Sequence, residues 1–342
     1  MNGASHIPAM QAETYDFHSA VRDGLRRKPK SIPPKFFYDA QGSRLFDLIC
    51  TTPEYYPTRT ETAILERHGA EMAETIGRSC TLIELGSGSA TKTPLLLKHL
   101  HDDAAYVPVD ICEPHLLDST RRLRTMFPAL EMQPLCADYH RLPAHAIRRH
   151  ASRRPALFFP GSTIGNSTPD EAVRLLRSLA ALTGPGSALL VGVDCKKAPD
   201  LLNAAYNDAA GHTAAFNRNL LHRMQRELGA RLDAEQFDHH AYYNAAQSRV
   251  EMHLVSRCRQ EIRLGRESFA FDAGETIHTE NSYKYDAQEF RQLARAAGWQ
   301  SETVWSDGDG WFDVLYLSAY PAPKAGLSVL PARRGRCSPV PS

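Results

Sequence analysis

Thr81–Leu97 reads TLIELGSGSATKTPLLL, and this stretch decides how the rest of the chain is read. The apolar run from Thr81 to Leu85 has the character of a buried strand. Gly86, Ser87 and Gly88 then turn the chain, and leucines at helical spacing predict a helix over Thr93–Leu100. Strand, glycine turn and helix form the nucleotide-holding unit of open α/β sheets. Glycines let backbone approach a ligand, and the first turn of a helix offers free N–H groups. Two closely spaced glycines also occur in ordinary strand-to-helix turns, so the pattern has a plain structural reading as well.

Two details narrow the ligand. Glu84 ends the strand, and Asp110 closes a second apolar run, AAYVPVD, about 20 residues past the turn, where a carboxylate takes ribose hydroxyls. A dinucleotide site calls for a third glycine, at position 91, under a pyrophosphate; Thr91 stands there instead. That favours a nucleoside without phosphates, such as S-adenosylmethionine, over NAD.

Outward from this unit the alternation continues. Pro114–Met126 is predicted helical, and MQPLCADYH gives a short strand ending near Asp138. Asp138 is a third strand-end carboxylate, suited to an adenine edge or to capping a helix. Ala156–Pro160 is a further buried strand, followed by GSTIGN and a helix capped by Thr168 with Pro169 at its first position. Asn166 lies in that loop, at a strand's carboxyl end, where open sheets bind ligands; it could equally tie the loop to itself. Gly184-Pro185-Gly186 ends the helix, and Ala188–Asp194 is the fifth strand. Five strands alternating with helices argue for a parallel, doubly wound α/β sheet.

The alternation then breaks. Leu201–Ala210 and Thr213–Leu228 read as helices and Tyr242–Leu264 as strands, an apparent insertion that also carries ETIHTENSYKY. Asp286 and Glu289 make a capping box ahead of another helix, ended by Gly298, and Thr303–Ser306 with Phe312–Ala319 forms a terminal hairpin. Upstream, Tyr15–Leu25 is predicted helical and Thr60–Ile76 amphipathic. Between them lie Phe36, Phe37, Tyr38, Phe46, Tyr55 and Tyr56. The phenylalanines suit a small satellite core; buried tyrosines need hydroxyl partners, which suits a site. Residues 1–13 and 321–342 read as disordered tails.

Composition bounds the function. The chain has 342 residues, 42% of them hydrophobic, and a formal net charge of +1, so no global field draws it to nucleic acid or membrane. Basic runs at Arg26, Arg121 and Arg148 read as solvated loops or helix faces. The seven cysteines are odd in number and scattered, without C-x-x-C, as in a reducing cytoplasm. No signal-peptide core or membrane-spanning run occurs. Fifteen histidines invite a metal reading, but H-E-x-x-H is missing and His239 and His240 point to opposite faces of a strand, so no metal is expected.

Taken in order, PKFFYDAQGSRLFD, PEYYPTR, IELGSGSATKT, FPGSTIGN, AAYNDAAGHTAAFNRN and TENSYKY resemble the histidine Nα-methyltransferases of the ergothioneine pathway, over roughly residues 15–320. The resemblance implies a Rossmann-like methyltransferase core (60–195 plus 286–320) with an inserted α+β substrate-binding domain (14–59 plus 196–285). It implies that Gly86, Lys92, Asp110, Asp138 and Tyr139 surround S-adenosylmethionine, Asp110 at the ribose and Asp138 at the adenine. Tyr38, Tyr206 and Asn166 would grip the α-carboxylate of L-histidine, with Asn166 and Gly161 orienting the amine; Asn166, Tyr38 and Gly161 are the catalytic candidates. Tyr55, Glu280 and Ser282 would surround the imidazole, with Met252 beside it. A cytoplasmic monomer acting on a small molecule is implied, converting histidine to its trimethyl betaine, hercynine. Alternatives are a relative acting on another amino acid such as tryptophan, one stopping at mono- or dimethylation, an NAD-dependent dehydrogenase, and a non-catalytic binding subunit.

Overall fold

The computed structural model describes residues 9–142 and 153–320. In chain order its strands are β1 (Lys30–Ser31), β2 (Cys80–Leu85), β3 (Ala105–Asp110), β4 (Glu131–Met132), β5 (Leu135–Cys136), β6 (Arg154–Phe159) and β7 (Ala188–Asp194). They continue as β8 (Phe237–Asn244), β9 (Arg249–Ser256), β10 (Gln260–Leu264), β11 (Glu267–Phe271), β12 (Thr276–Tyr283), β13 (Trp299–Ser306) and β14 (Phe312–Ala319).

The large sheet has the order β13-β14-β7-β6-β2-β3-β4, with β5 also on β3. Pairings among β2 to β7 are parallel, whereas β14 runs antiparallel to both β7 and β13. Every residue of β2, β3 and β7 is buried, because helices cover both sheet faces. β2 lies between β3 and β6, so the chain reverses its direction of travel across the sheet there. Open sheets hold ligands beyond the carboxyl ends of strands at such a switch point.

A second sheet, β1-β12-β9-β8, stands beside the first with the β10–β11 hairpin. A hydrophobic cluster of its own joins this sheet to the helices Ala9–Arg26 and His212–Leu228 through Phe17, Phe37, Phe216, Leu220, Phe237 and Leu254. The large sheet carries two clusters, one on each face, around Leu157 and Phe159 and around Phe158 and Leu190.

Several boundaries differ from the sequence expectations. The first helix begins at Ala9, within the segment expected to be a disordered tail, while residues 1–8 and 321–342 lie outside the described residues. After the glycine turn only Pro94–Leu97 is helical, a single turn rather than the expected Thr93–Leu100. Lys30, read as part of a solvated basic run, is buried, pairs with Glu275, and belongs to β1, which joins β12 at Ile277. The basic run at Arg148 lies mostly outside the described residues.

Two local features of β12 aim its side chains. Across the ladder, Ile277 faces Leu254 and His278 faces His253, but Glu280 faces Met252, so Thr279 is an extra residue. Such a bulge resets the alternation and puts Glu280 on the side of Ile277, inward, while His278 stays on the other face. Thr279 pins the bulge by donating to Asn217 Oδ1 at 2.8 Å and to the Met252 carbonyl at 3.0 Å. The loop after β6 meets β12 at Gly165, where a Cβ would come within 2.8 Å of the Tyr283 carbonyl oxygen. Gly165→Ala is therefore expected to push loop and strand apart and destabilise the fold by about 1–3 kcal/mol, measured as a lowered urea midpoint.

Candidate active site

Two adjoining cavities open above the carboxyl ends of the parallel strands. The larger has a volume of about 540 Å³ and the smaller about 40 Å³; Tyr38, Tyr55, Gly161 and Asn166 line both. All five residues expected around the nucleoside, Gly86, Lys92, Asp110, Asp138 and Tyr139, line the larger one. The expected acceptor residues Tyr206, Glu280 and Ser282 line the smaller. Met252 lines neither cavity. It is buried in the hydrophobic cluster directly across the ladder from Glu280, where it supports that residue's backbone.

The glycine turn is built around Asp110. Gly86 and Gly88 have φ of +70° and +51°, backbone that L side chains seldom adopt. The Gly86 and Ser87 N–H groups donate to the Val109 carbonyl at 2.8 and 3.0 Å. Asp110 accepts from the Gly88 N–H at 2.9 Å and the Cys112 N–H at 2.8 Å, so it clamps the turn while facing the cavity. Ser87 Oγ is buried on this wall without a protein partner, and open space lies where a Gly88 Cβ would stand. These features fit a polar ligand held close to backbone. Of the two roles expected of Asp138 the cap is formed: one oxygen caps the His140 N–H at 2.9 Å, and the other takes Lys35 Nζ at 3.2 Å on the cavity wall. Tyr139 packs edge-on against Phe159, its ring close under Gly86.

Glu84 is the last residue but one of β2, opposite Pro108 of β3, and its surroundings differ from those of Asp110. It is buried, accepts from Thr93 and Tyr106, and is pushed up to about 7 by burial against those hydrogen bonds. It braces the floor, whereas Asp110 faces the turn.

Glu61 was missed in the sequence. It is wholly buried, pairs with Lys92, and accepts from the Gly161 N–H at 2.9 Å. The Gly161 amide is thus committed inward, and its carbonyl is the group left to meet an amine. A Cβ on Gly192 would lie 2.2 Å from Glu61 Oε1, so that glycine makes room for the carboxylate. The signal was present: Glu61 falls on the buried stripe of its helix with Pro57, Ile64 and Leu65.

The smaller cavity is backed by a buried charge cluster. Asp194, at the end of β7, accepts from Tyr56 Oη at 2.8 Å, Lys197 Nζ at 2.5 Å and Lys284 Nζ at 2.7 Å. Lys284 also donates to Ser282 Oγ and Tyr206 Oη. Asp194 carries the strand-end signal that marked Asp110, and Lys284 follows Glu280 and Ser282 at a period of two. Phe46, assigned only to packing, lines both cavities. Burial holds the phenols of Tyr38 and Tyr55 well above their ordinary range, so both remain protonated donors. Glu280 is pushed up to about 7 by burial, against the pull of Lys284.

His239 and His240 do take opposite faces: His239 reaches the Tyr206 carbonyl while the His240 ring packs at a tilt against Tyr242. Glu251, His253 and His278 offer ligand atoms within 4.8 Å of one another. The Glu251 carboxylate there is already engaged by Arg249, Asn244 and Tyr242.

Two outcomes are expected. Glu61→Ala leaves Lys92 and the Gly161 amide without their buried partner and lowers stability by about 3 kcal/mol, read from urea unfolding. Glu280 holds its proton to about pH 7 in the folded chain but ionises near 4.5 when unfolded. The unfolded state then binds fewer protons in that window, so stability falls as pH rises through it. Glu280→Gln is expected to reduce that slope, seen in urea midpoints compared at about pH 5 and about pH 8.

Residues 17–319 match the family model described as histidine-specific, SAM-dependent methyltransferase. A protein of Mycobacterium tuberculosis named histidine N-alpha-methyltransferase is 40% identical over 297 residues, covering 85% of this chain and 91% of that one. Ergothioneine biosynthesis protein 1 of Neurospora crassa is 27% identical over 311 residues, covering 82% of this chain and 32% of that protein. The 4-dimethylallyltryptophan N-methyltransferase of Claviceps fusiformis is 28% identical over 324 residues, covering 86% and 90%. The glycine turn, its clamping aspartate and the adjoining smaller cavity thus stand in a chain that belongs to the family of histidine-specific, S-adenosylmethionine-dependent methyltransferases.

Proposed function

We propose that this enzyme methylates the α-amine of L-histidine, three times in succession, to give hercynine, the first step of ergothioneine biosynthesis, and that it works as a cytoplasmic monomer. The observation that carries the reading is Glu280: a buried carboxylate turned inward by a bulge, beside Ser282, in the wall of a cavity that adjoins the nucleoside site. A carboxylate placed there rewards a ring with an N–H and is left unpaired by a plain apolar ring.

The lining of the two cavities supports a division of labour. In this reading residues 60–195 and 286–320 form the donor domain, and residues 14–59 and 196–285 the acceptor domain. Gly86, Lys92, Asp110, Asp138 and Tyr139 hold S-adenosylmethionine, with Asp110 at the ribose and Asp138 at the adenine. When bound, it supplies an electrophilic methyl group on a sulfonium sulfur. Tyr38, Tyr206 and Asn166 hold the α-carboxylate, and Tyr55, Glu280 and Ser282 hold the imidazole. The Gly161 carbonyl and Asn166 orient the amine. Pinning the acceptor at both ends leaves its nitrogen to be aligned for an in-line displacement, the largest contribution a site without a nucleophile of its own can make. The amine is mostly protonated near neutrality, and the phenols lining the site are donors rather than bases, so its proton leaves through a hydroxyl or water relay.

The test is mass spectrometry of histidine incubated with enzyme and S-adenosylmethionine, counting the methyl groups added; tryptophan and tyrosine run in parallel separate a relative of other specificity. Glu280→Ala is expected to raise the KM for histidine about 10–100-fold while S-adenosylmethionine affinity by calorimetry stays within about twofold. Histidine affinity equal to that of the unaltered enzyme removes Glu280 from the pocket.

A further inference from the structure

One buried side chain, Asn217, is bonded toward both ends of the acceptor site. It is 0% exposed and stands on the helix His212–Leu228. Its amide nitrogen has two protons. One goes to His239 Nδ1 at 2.9 Å and the other to the His253 carbonyl at 3.0 Å. Its oxygen meets the Thr279 hydroxyl at 2.8 Å, which shares its single proton between Asn217 Oδ1 and the Met252 carbonyl, 3.0 Å away. Turned over, the amide would set its oxygen against the His253 carbonyl, so only one orientation fits.

His239 carries the connection onward. An amide nitrogen cannot accept, so Nδ1 of the imidazole is the acceptor and its proton sits on Nε2. That proton meets the Tyr206 carbonyl at 2.9 Å. Tyr206 caps the carboxyl end of the helix Pro199–Ala205, where the last carbonyls have no partner within the helix. Burial holds His239 below the ordinary imidazole range, which favours this neutral form. On the other side, Thr279 is the extra residue of the bulge that turns Glu280 inward. Three hydrogen bonds in series thus join the backbone of Tyr206, through His239 and Asn217, to the bulge ahead of Glu280.

We propose that Asn217 and His239 are positioning residues that fix the span between Tyr206 and Glu280, so that the site selects acceptors by the length of the link between α-carbon and ring. The inference rests on the histidine reading above, in which Tyr206 holds the α-carboxylate and Glu280 the ring, and deepens it. Two grips at a fixed separation suit one side-chain length, and histidine has a single methylene there. An acceptor longer by one methylene, held at both ends, bows at the α-carbon and carries its amine out of line with the methyl donor. Misplacement by about 1 Å costs about 100-fold in rate. With the tie cut, the two grips shift independently and the longer acceptor aligns. The helix itself stays docked on β8 without the tie, because the Tyr243 N–H donates to Asn203 Oδ1 at 2.7 Å and Asn207 donates to the Ala241 carbonyl at 3.1 Å.

The experiment measures kcat and KM for histidine and for homohistidine, whose side chain is one methylene longer. The unaltered enzyme is expected to disfavour homohistidine by about 100-fold in kcat/KM, chiefly through kcat. In Asn217→Ala, histidine is expected to lose about tenfold in kcat, and the ratio between the two acceptors to fall below about tenfold. Thr279→Val and His239→Leu cut the same tie at its two ends and are expected to narrow the ratio likewise. Calorimetry with S-adenosylmethionine checks that each variant is folded. A merely structural role lowers both acceptors alike and leaves their ratio where it was. An unchanged ratio in folded Asn217→Ala therefore overturns the proposal, as does an unaltered enzyme that uses homohistidine as well as histidine. Should Asn217→Ala fail to bind S-adenosylmethionine, an unchanged ratio in Thr279→Val or His239→Leu overturns it instead. An unaltered enzyme that does not methylate histidine at all removes the underlying reading and this inference together, an outcome distinct from a persistent ratio.

Discussion

The carboxylate of Asp194 is the joint on which the site depends. It ends a central strand of the large sheet, and its oxygens receive groups from three other places in the chain: Tyr56 at the start of a helix, Lys197 just beyond the strand, and Lys284 at the exit of the second sheet. Taking such charges out of water costs several kcal/mol per ion, and their mutual attraction roughly offsets that, so the cluster adds little net stability. Its effect lies in geometry. An ion left without its partner in this interior costs about 3–5 kcal/mol, so arrangements that separate the two sheets are strongly disfavoured. The two cavities keep their relation because the charges behind them do.

That relation suits the chemistry. Transfer between two bound molecules gains most from holding the reacting atoms in line at near contact. Here one loop, Gly161 to Asn166, serves both cavities. Its amide is drawn inward by Glu61, which also holds Lys92 on the wall of the larger cavity, so the loop and that wall share one buried carboxylate. Gly165 lets the same loop lie against the backbone of β12, close to Glu280 and Ser282. Few elements separate the two cavities, and each is anchored by a charge or by a backbone contact.

Carboxylates of similar position do different work according to their neighbours. Asp110 and Glu84 lie near the carboxyl ends of neighbouring parallel strands, but Glu84 stands opposite Pro108, two residues short of Asp110; Asp110 receives backbone N–H groups of the glycine turn, while Glu84 lies beneath it, tied to Thr93 and Tyr106. Asp138 divides its oxygens between a cap and a lysine. Two acids near the ends of adjacent strands therefore take different partners, backbone N–H groups for Asp110 and buried hydroxyls for Glu84.

Much of this was legible from residue order alone. Alternating apolar runs and helical spacings specified the parallel core, because burial on both faces demands continuous apolar strands. Glycines at 86 and 88 with an acid at 110 located the turn that walls the larger cavity, because positive φ and a strand-end carboxylate are local requirements. The N-cap at Thr168 and the capping box at Asp286 are local too, and both form. Tertiary structure alone decided which way Glu280 points, since one extra residue at Thr279 reverses the alternation and depends on Asn217 to hold it. It alone joined Glu61 to Gly161 and Asp194 to Lys284, pairs 100 and 90 residues apart. Hydrogen bonds and ion pairs act through space, and no periodicity in a chain records a partner that only folding brings near.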